Sequence, residues 1–96
     1  MKQPQVGRVI HPDGTESTVH PADGKEFTLK ELQNAVEGLI EIVFLKPGHG
    51  HATAYVNEEG KLIGLLPNHK ATKLIRLFPG DYVAGNILIV SRVKEV

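Results

Sequence analysis

Apolar residues recur along this chain with two different periods, and the switches between them mark its elements. Val6 to Ile10 is a short apolar run, and Thr15 to His20 mixes β-branched with polar residues. Between them stands Pro12-Asp13-Gly14, where Pro presets φ and Gly accepts a positive φ, so the two runs read as a hairpin. Pro21-Ala22-Asp23-Gly24 is a second turn signal that closes it off. The period then changes. Thr28-Leu29-Lys30-Glu31 is a capping box: the Thr28 hydroxyl can accept from the amide of Glu31, and the Glu31 carboxylate can reach back to the amide of Thr28. Leu29, Leu32, Val36 and Leu39 fall on one face, with Phe27 and Leu32 placed as a hydrophobic staple. Gly38 sits where a left-handed residue ends a helix. The spacing predicts a helix over 28–37.

Alternation returns in Leu39 to Leu45, with Ile40, Ile42 and Phe44 against Glu41 and Val43. Pro47 to Gly50 reads as a loop and Thr53 to Val56 as a strand. Asn57-Glu58-Glu59-Gly60 reads as a turn, from which Lys61 to Leu65 returns as a partner strand. Asn68 then caps a second helix over 69–78, with Ala71, Leu74, Ile75 and Phe78 as its apolar face and Pro79-Gly80 as its stop. Tyr82 to Val90 is the last predicted strand. Gly85-Asn86 inside it points to a bulge or a close backbone approach, and Val93 to Val96 reads as a frayed end.

The order is β-β-α-β-β-β-α-β. It predicts a single α+β domain over residues 1–96, with an antiparallel or mixed sheet of about six strands and both helices on one face. An open sheet has edges to protect, so a homodimer is one expectation.

Composition narrows the chemistry. Ninety-six residues with 41% hydrophobic and 23% charged side chains suit one globular core. With no Cys, disulfides, thiolate metal sites and thiol catalysis are all excluded. No apolar run approaches the ~20 residues of a membrane span, and Met1 to Gly7 holds no signal-peptide core, so a cytoplasmic protein without a membrane partner is expected.

Charge adds an asymmetry hidden in the neutral total. Residues 1–60 carry five basic and nine acidic side chains; residues 61–96 carry six and two. No carboxylate occurs from Lys61 to Gly80, where Lys61, Lys70, Lys73 and Arg76 stand. A polarised surface suggests steering of an anion or head-to-tail self-association.

The series Tyr55-Val56-Asn57-Glu58-Glu59-Gly60-Lys61-Leu62, Gly64-Leu65, Pro67-Asn68, Ala71-Thr72 and Leu74 runs on to Gly80-Asp81, Val83 and Gly85-Asn86-Ile87-Leu88-Ile89-Val90. With Pro12-Asp13-Gly14, Phe27-Thr28-Leu29-Lys30-Glu31-Leu32-Gln33 and Gly38-Leu39-Ile40-Glu41-Ile42-Val43, it resembles a family of small uncharacterised domains. These domains are encoded by bacteriophages, plasmids and their bacterial hosts. The likeness spans about Val6 to Val90. It implies an accessory protein of a mobile element acting inside a bacterial cell, and it carries no catalytic or binding residue with it. The two histidines in the loop from Lys46 to His51 depart from the family pattern.

Candidate sites follow from the residues alone. Asn68, His69, Lys70, Lys73 and Arg76 form the first: cations in a helix's first turn oppose its dipole, and free amides there bind anions, so a docked anion would resolve both facts. A merely solvated amphipathic helix is the competing reading. His49 and His51, two apart, have chelate spacing if a strand begins there, provided His11, His20 or His69 comes close. The carboxylates of the first half are spread over turns, a helix and a strand, which fits a solvated surface. Ser17 and Ser91 are the only serines, and neither lies in a nucleophile elbow. So few cations, with sparse aromatics, argue little for nucleic acid.

The expectation is a non-enzymatic protein without a cofactor. It would bind an anionic ligand or a host protein, inhibiting or sequestering it. The alternative is a binder of phosphate or a nucleotide at the start of the second helix, and a third class is a metal-dependent hydrolase using His49 and His51.

Overall fold

The computed structural model describes residues 3–93 of the chain. Its elements are β1 (Gln5–Ile10), β2 (Glu16–Val19), α1 (Leu29–Val36), β3 (Ile40–Val43), β4 (Thr53–Asn57), α2 (His69–Thr72) and β5 (Ile87–Arg92). The strands form one antiparallel sheet in the order β2-β1-β5-β4-β3. The fold is α+β, with five strands rather than about six. The frayed end expected over 93–96 lies, beyond Val93, outside the described residues.

Local signals built the first half as read. The turn between β1 and β2 closes through a Gly14 N–H bond to the His11 carbonyl at 2.9 Å, and Asp13 Oδ1 accepts from the Thr15 N–H at 2.9 Å. The capping box forms: Thr28 Oγ1 accepts from the Glu31 N–H at 3.2 Å, and Glu31 Oε1 from the Thr28 N–H at 2.9 Å. Such a cap stabilises a helix by about 1 kcal/mol. The end of α1 differs in one detail. Glu37, not Gly38, takes the left-handed conformation, with φ 64°. Gly38 is needed for another reason: a Cβ there would stand 2.7 Å from Asn57 Nδ2. That amide donates to the Val36 and Glu37 carbonyls at 3.1 and 3.3 Å, satisfying groups that a helix end leaves orphaned.

β5 organises the core. Ile87 and Ile89 turn to one face with Ile10, Ala54, Val56, Ala71 and Ile75, whereas Leu88 and Val90 turn to the other with Val9 and Val36. The two helices therefore lie on opposite faces of the sheet, not on one. The cause is the central position of β5: all four of these side chains are buried, so each face needs its own cover.

Three expected elements give way to long-range pairing. Lys61–Leu65 does not return as a strand, because both flanks of β4 are taken by β3 and β5. The chain instead coils through turns, held by Leu65 N–H to the Gly60 carbonyl at 2.9 Å. The second helix stops at Thr72, far short of 78. Beyond it, Lys46 N–H donates to the Leu74 carbonyl and Arg76 N–H to the Phe44 carbonyl, both at 2.8 Å, around a Leu45–Ile75 bridge. Ile75 thus lies against Leu45 along the continuation of β3, with Leu74 still in the turn that ends α2. Phe78, placed before Pro79, is steered away from helix and points outward. The last strand begins at Ile87, not Tyr82. Gly85 precedes it with φ 85°, the left-handed region that calls for glycine, and Leu65 Cδ1 packs where a Cβ would stand. Among the described residues no helix is long and apolar enough to cross a membrane.

Candidate binding surface

The residues expected to form an anion site end in different environments. Asn68 is fully buried. Its Nδ2 donates to the carbonyls of Ile10 and Gly85, both at 2.9 Å, and its Oδ1 accepts from the Ala71 N–H at 3.0 Å. It pins α2 to β1 and to the approach to β5, and no atom remains for a ligand. His69, Lys70, Lys73 and Arg76 are exposed. Lys70, however, is bound to the Glu16 carboxylate and to the Gly14 carbonyl. Arg8 holds the same carboxylate through Nε and through Nη2, the latter at 3.2 Å. The Arg8 guanidinium first, and the Lys70 ammonium second, pull the Glu16 carboxyl down to about 2.

Lys61 is likewise tied to Asp81 and lies 5.3 Å from the centroid of the Tyr82 ring. The hydrogen bond to Asp81 raises the Lys61 pKa; Lys61, and then the Tyr82 N–H, lower that of Asp81. Of the four cations in the acid-poor stretch, Lys73 and Arg76 have no carboxylate partner among the described residues. α2 has four residues, one turn, so its dipole is small.

His49 and His51 are exposed in the loop before β4. No group of three or more metal-ligating side chains forms among the described residues, so neither His11, His20 nor His69 joins them. His51 instead lines a groove with Gln3, Gln5, Thr53, Tyr55 and Arg92.

A surface missed by the sequence reading lies at the outer edge of β3. The Glu58 N–H bond to the Leu39 carbonyl, at 2.8 Å, fixes the alternation of the β3–β4 ladder. Glu41 and Val43 then bond to β4, and the main-chain groups of Ile40 and Ile42 point to the open side. Phe44 would be next, but its carbonyl is capped by Arg76. Ile42, Phe44, Arg76, Leu77 and Phe78 line a groove along this edge, together with Glu41 and Asp81. Ile42 is 54% exposed, Phe44 69% and Phe78 85%. Phe44 and Phe78 fit the expected apolar periods and so read as core. The available sign was Phe78-Pro79, since the residue before a proline resists helix.

Comparison with known proteins gives a family and nothing finer. No curated protein and no solved structure matches the chain. Residues 8–95 match the family model described as Domain of unknown function (DUF3846), a stretch that holds both helices and every strand apart from the first three residues of β1. By that match over nearly its whole length, the chain belongs to the DUF3846 family.

Proposed function

We propose that this protein works by binding another protein, and that the groove along the β3 edge is the contact surface. The occupant we infer is an extended segment of the partner. It places an apolar side chain between Phe44 and Phe78, pairs with the main-chain groups of Ile42, and offers a carboxylate to Arg76. One observation carries the reading: three large apolar side chains stand open to water beside a guanidinium that has no carboxylate partner among the described residues. Aromatic and Arg side chains dominate binding energy at protein interfaces, and an open strand edge accepts an added strand.

Charge counts against one way of pairing with a second copy. Two β3 strands paired about a twofold at Glu41 would set carboxylate against carboxylate. In the mobile-element setting that the resemblance implies, the partner is a bacterial host protein, inhibited or sequestered by capture. The alternative, a phosphate or nucleotide at the start of α2, has less support, since Asn68 is fully bonded and Lys70 is already neutralised.

The test places a photo-crosslinking side chain at Phe78 of the intact protein in a bacterial lysate, with Leu29, exposed on α1, as the control position. The expected result is a defined protein captured from position 78 and not from 29, with capture abolished by Arg76→Glu. Equal capture from both positions, or capture indifferent to Arg76→Glu, overturns the proposal.

A further inference from the structure

Two side chains of the first hairpin and one from the far end of the chain meet on the α1 face of the sheet. His11 Nε2 stands 2.9 Å from Ser17 Oγ, and His11 Nδ1 stands 3.1 Å from Asn86 Oδ1. Asn86 Nδ2 donates to the Ala35 carbonyl at 3.1 Å. A carbonyl can only accept, so this last bond fixes the chain of donors. The Asn86 amide nitrogen faces Ala35, and its oxygen faces the ring. His11 Nδ1 must then carry the proton, and in the neutral ring Nε2 is the lone-pair nitrogen that accepts from the Ser17 hydroxyl. The topology explains the meeting. β2, β1 and β5 are neighbours in that order, and Ser17, His11 and Asn86 occupy positions that face the same side across them. Asn86 is anchored to the last turn of α1, so the ring is held from the side away from the serine.

We propose that Ser17 is a base-activated nucleophile, with His11 as its general base and Asn86 as the residue that positions the ring. The arrangement is that of nucleophile, base and orienting group, which recurs on unrelated folds and is recognised by geometry rather than by sequence order. The substrate class is activated acyl or phosphonyl donors, such as aryl esters. In the step, Ser17 Oγ bonds to the acyl carbon, the bond to the aryl oxygen breaks, and the aryloxide leaves with the electron pair. The serine proton passes to His11 Nε2 and from there to the leaving group, while His11 Nδ1–H goes on donating to Asn86 Oδ1. With a fluorophosphonate the Oγ–P bond forms, the P–F bond breaks and fluoride departs.

The chain supplies its own control. Ser17 and Ser91 are its only serines, both are exposed, and among the described residues no histidine is bonded to Ser91. The intact protein is treated with a fluorophosphonate probe, and labelling at each serine is followed by peptide mass spectrometry. A positioned general base contributes about 100-fold or more, so Ser17 is expected to label at least about 100 times faster than Ser91. His11→Gln should bring Ser17 down to the rate of Ser91, and Asn86→Leu should lower the Ser17 rate while leaving that of Ser91 unchanged. Equal labelling of the two serines in the unmodified protein overturns the proposal, whatever the variants do. So does a folded His11→Gln protein that keeps the fast Ser17 reaction.

Discussion

The start of α2 and the outer edge of β3 each hold a cation of the acid-poor stretch, Lys70 and Arg76, and the two end in opposite states. At α2, Asn68 has every amide atom bonded, and Lys70 shares a carboxylate with Arg8. At β3, Phe44 and Phe78 keep most of their surface in water, and Arg76 has no acid among the described residues. Polar groups with filled hydrogen-bonding capacity hold a fold together; groups whose capacity is unmet are the ones a partner can use. For Lys70 and Arg76 the difference does not lie in their charge and is set by what the fold brings alongside.

The comparison breaks most sharply at Asn68. Asn68→Ala leaves two carbonyls and one N–H without their partner in a buried place, each at a cost of about 1–3 kcal/mol, so unfolding free energy in urea should drop by about 3 kcal/mol or more. A drop under about 1 kcal/mol would mean that water replaces the side chain and that the pin is dispensable.

The charge cluster beside it should act more weakly, through pH. Folding lowers the Glu16 carboxyl to about 2, against about 4.3 in an unfolded chain, so the folded protein binds fewer protons in that window. The stabilisation is therefore complete above about pH 5 and is lost as pH falls through about 2. Carboxyl-carbon NMR should place the Glu16 midpoint near the lower value, and Lys70→Gln should move it upward. A midpoint in the ordinary range would show Lys70 and Arg8 to be free, and would return both to the pool of available cations.

The smallest effect on stability belongs to the open edge. Phe78→Ser should change unfolding free energy by no more than about 0.5 kcal/mol, because the ring is 85% exposed. A loss well beyond that would mean the ring packs into the fold, and the contrast between the two regions would fail there.

Much of the fold was legible where its causes are local. The capping box at Thr28, the turn at Pro12-Asp13-Gly14 and the apolar run at Ile87 to Val90 each specify their element within a few residues. The failures have distant causes. Ala71, Leu74 and Ile75 satisfy a helical period, yet the backbone of residues 74–76 is claimed by Phe44 and Lys46. Lys61–Leu65 lost its place as a strand to β5, which reaches β4 from the far end of the sequence. The acid-poor stretch misled in the same way: Glu16 comes to Lys70 from another part of the chain, and Asp81 comes to Lys61 from just beyond it. Of the expected anion site, Arg76 alone lines the groove at β3, and the side chains beside it there had read as core.

The central place of β5 bears on how the molecule comes into being. β1 and β4 each pair with β5 and not with each other, and β5 is made after both. As a ribosome delivers the chain, the pairs β1–β2 and β3–β4 can close early, each with one bare apolar flank. Only when Ile87 to Arg92 emerges can a single sheet form, by sliding between two finished ribbons. A chain cut short before Ile87 would leave two sticky halves with nothing to join them.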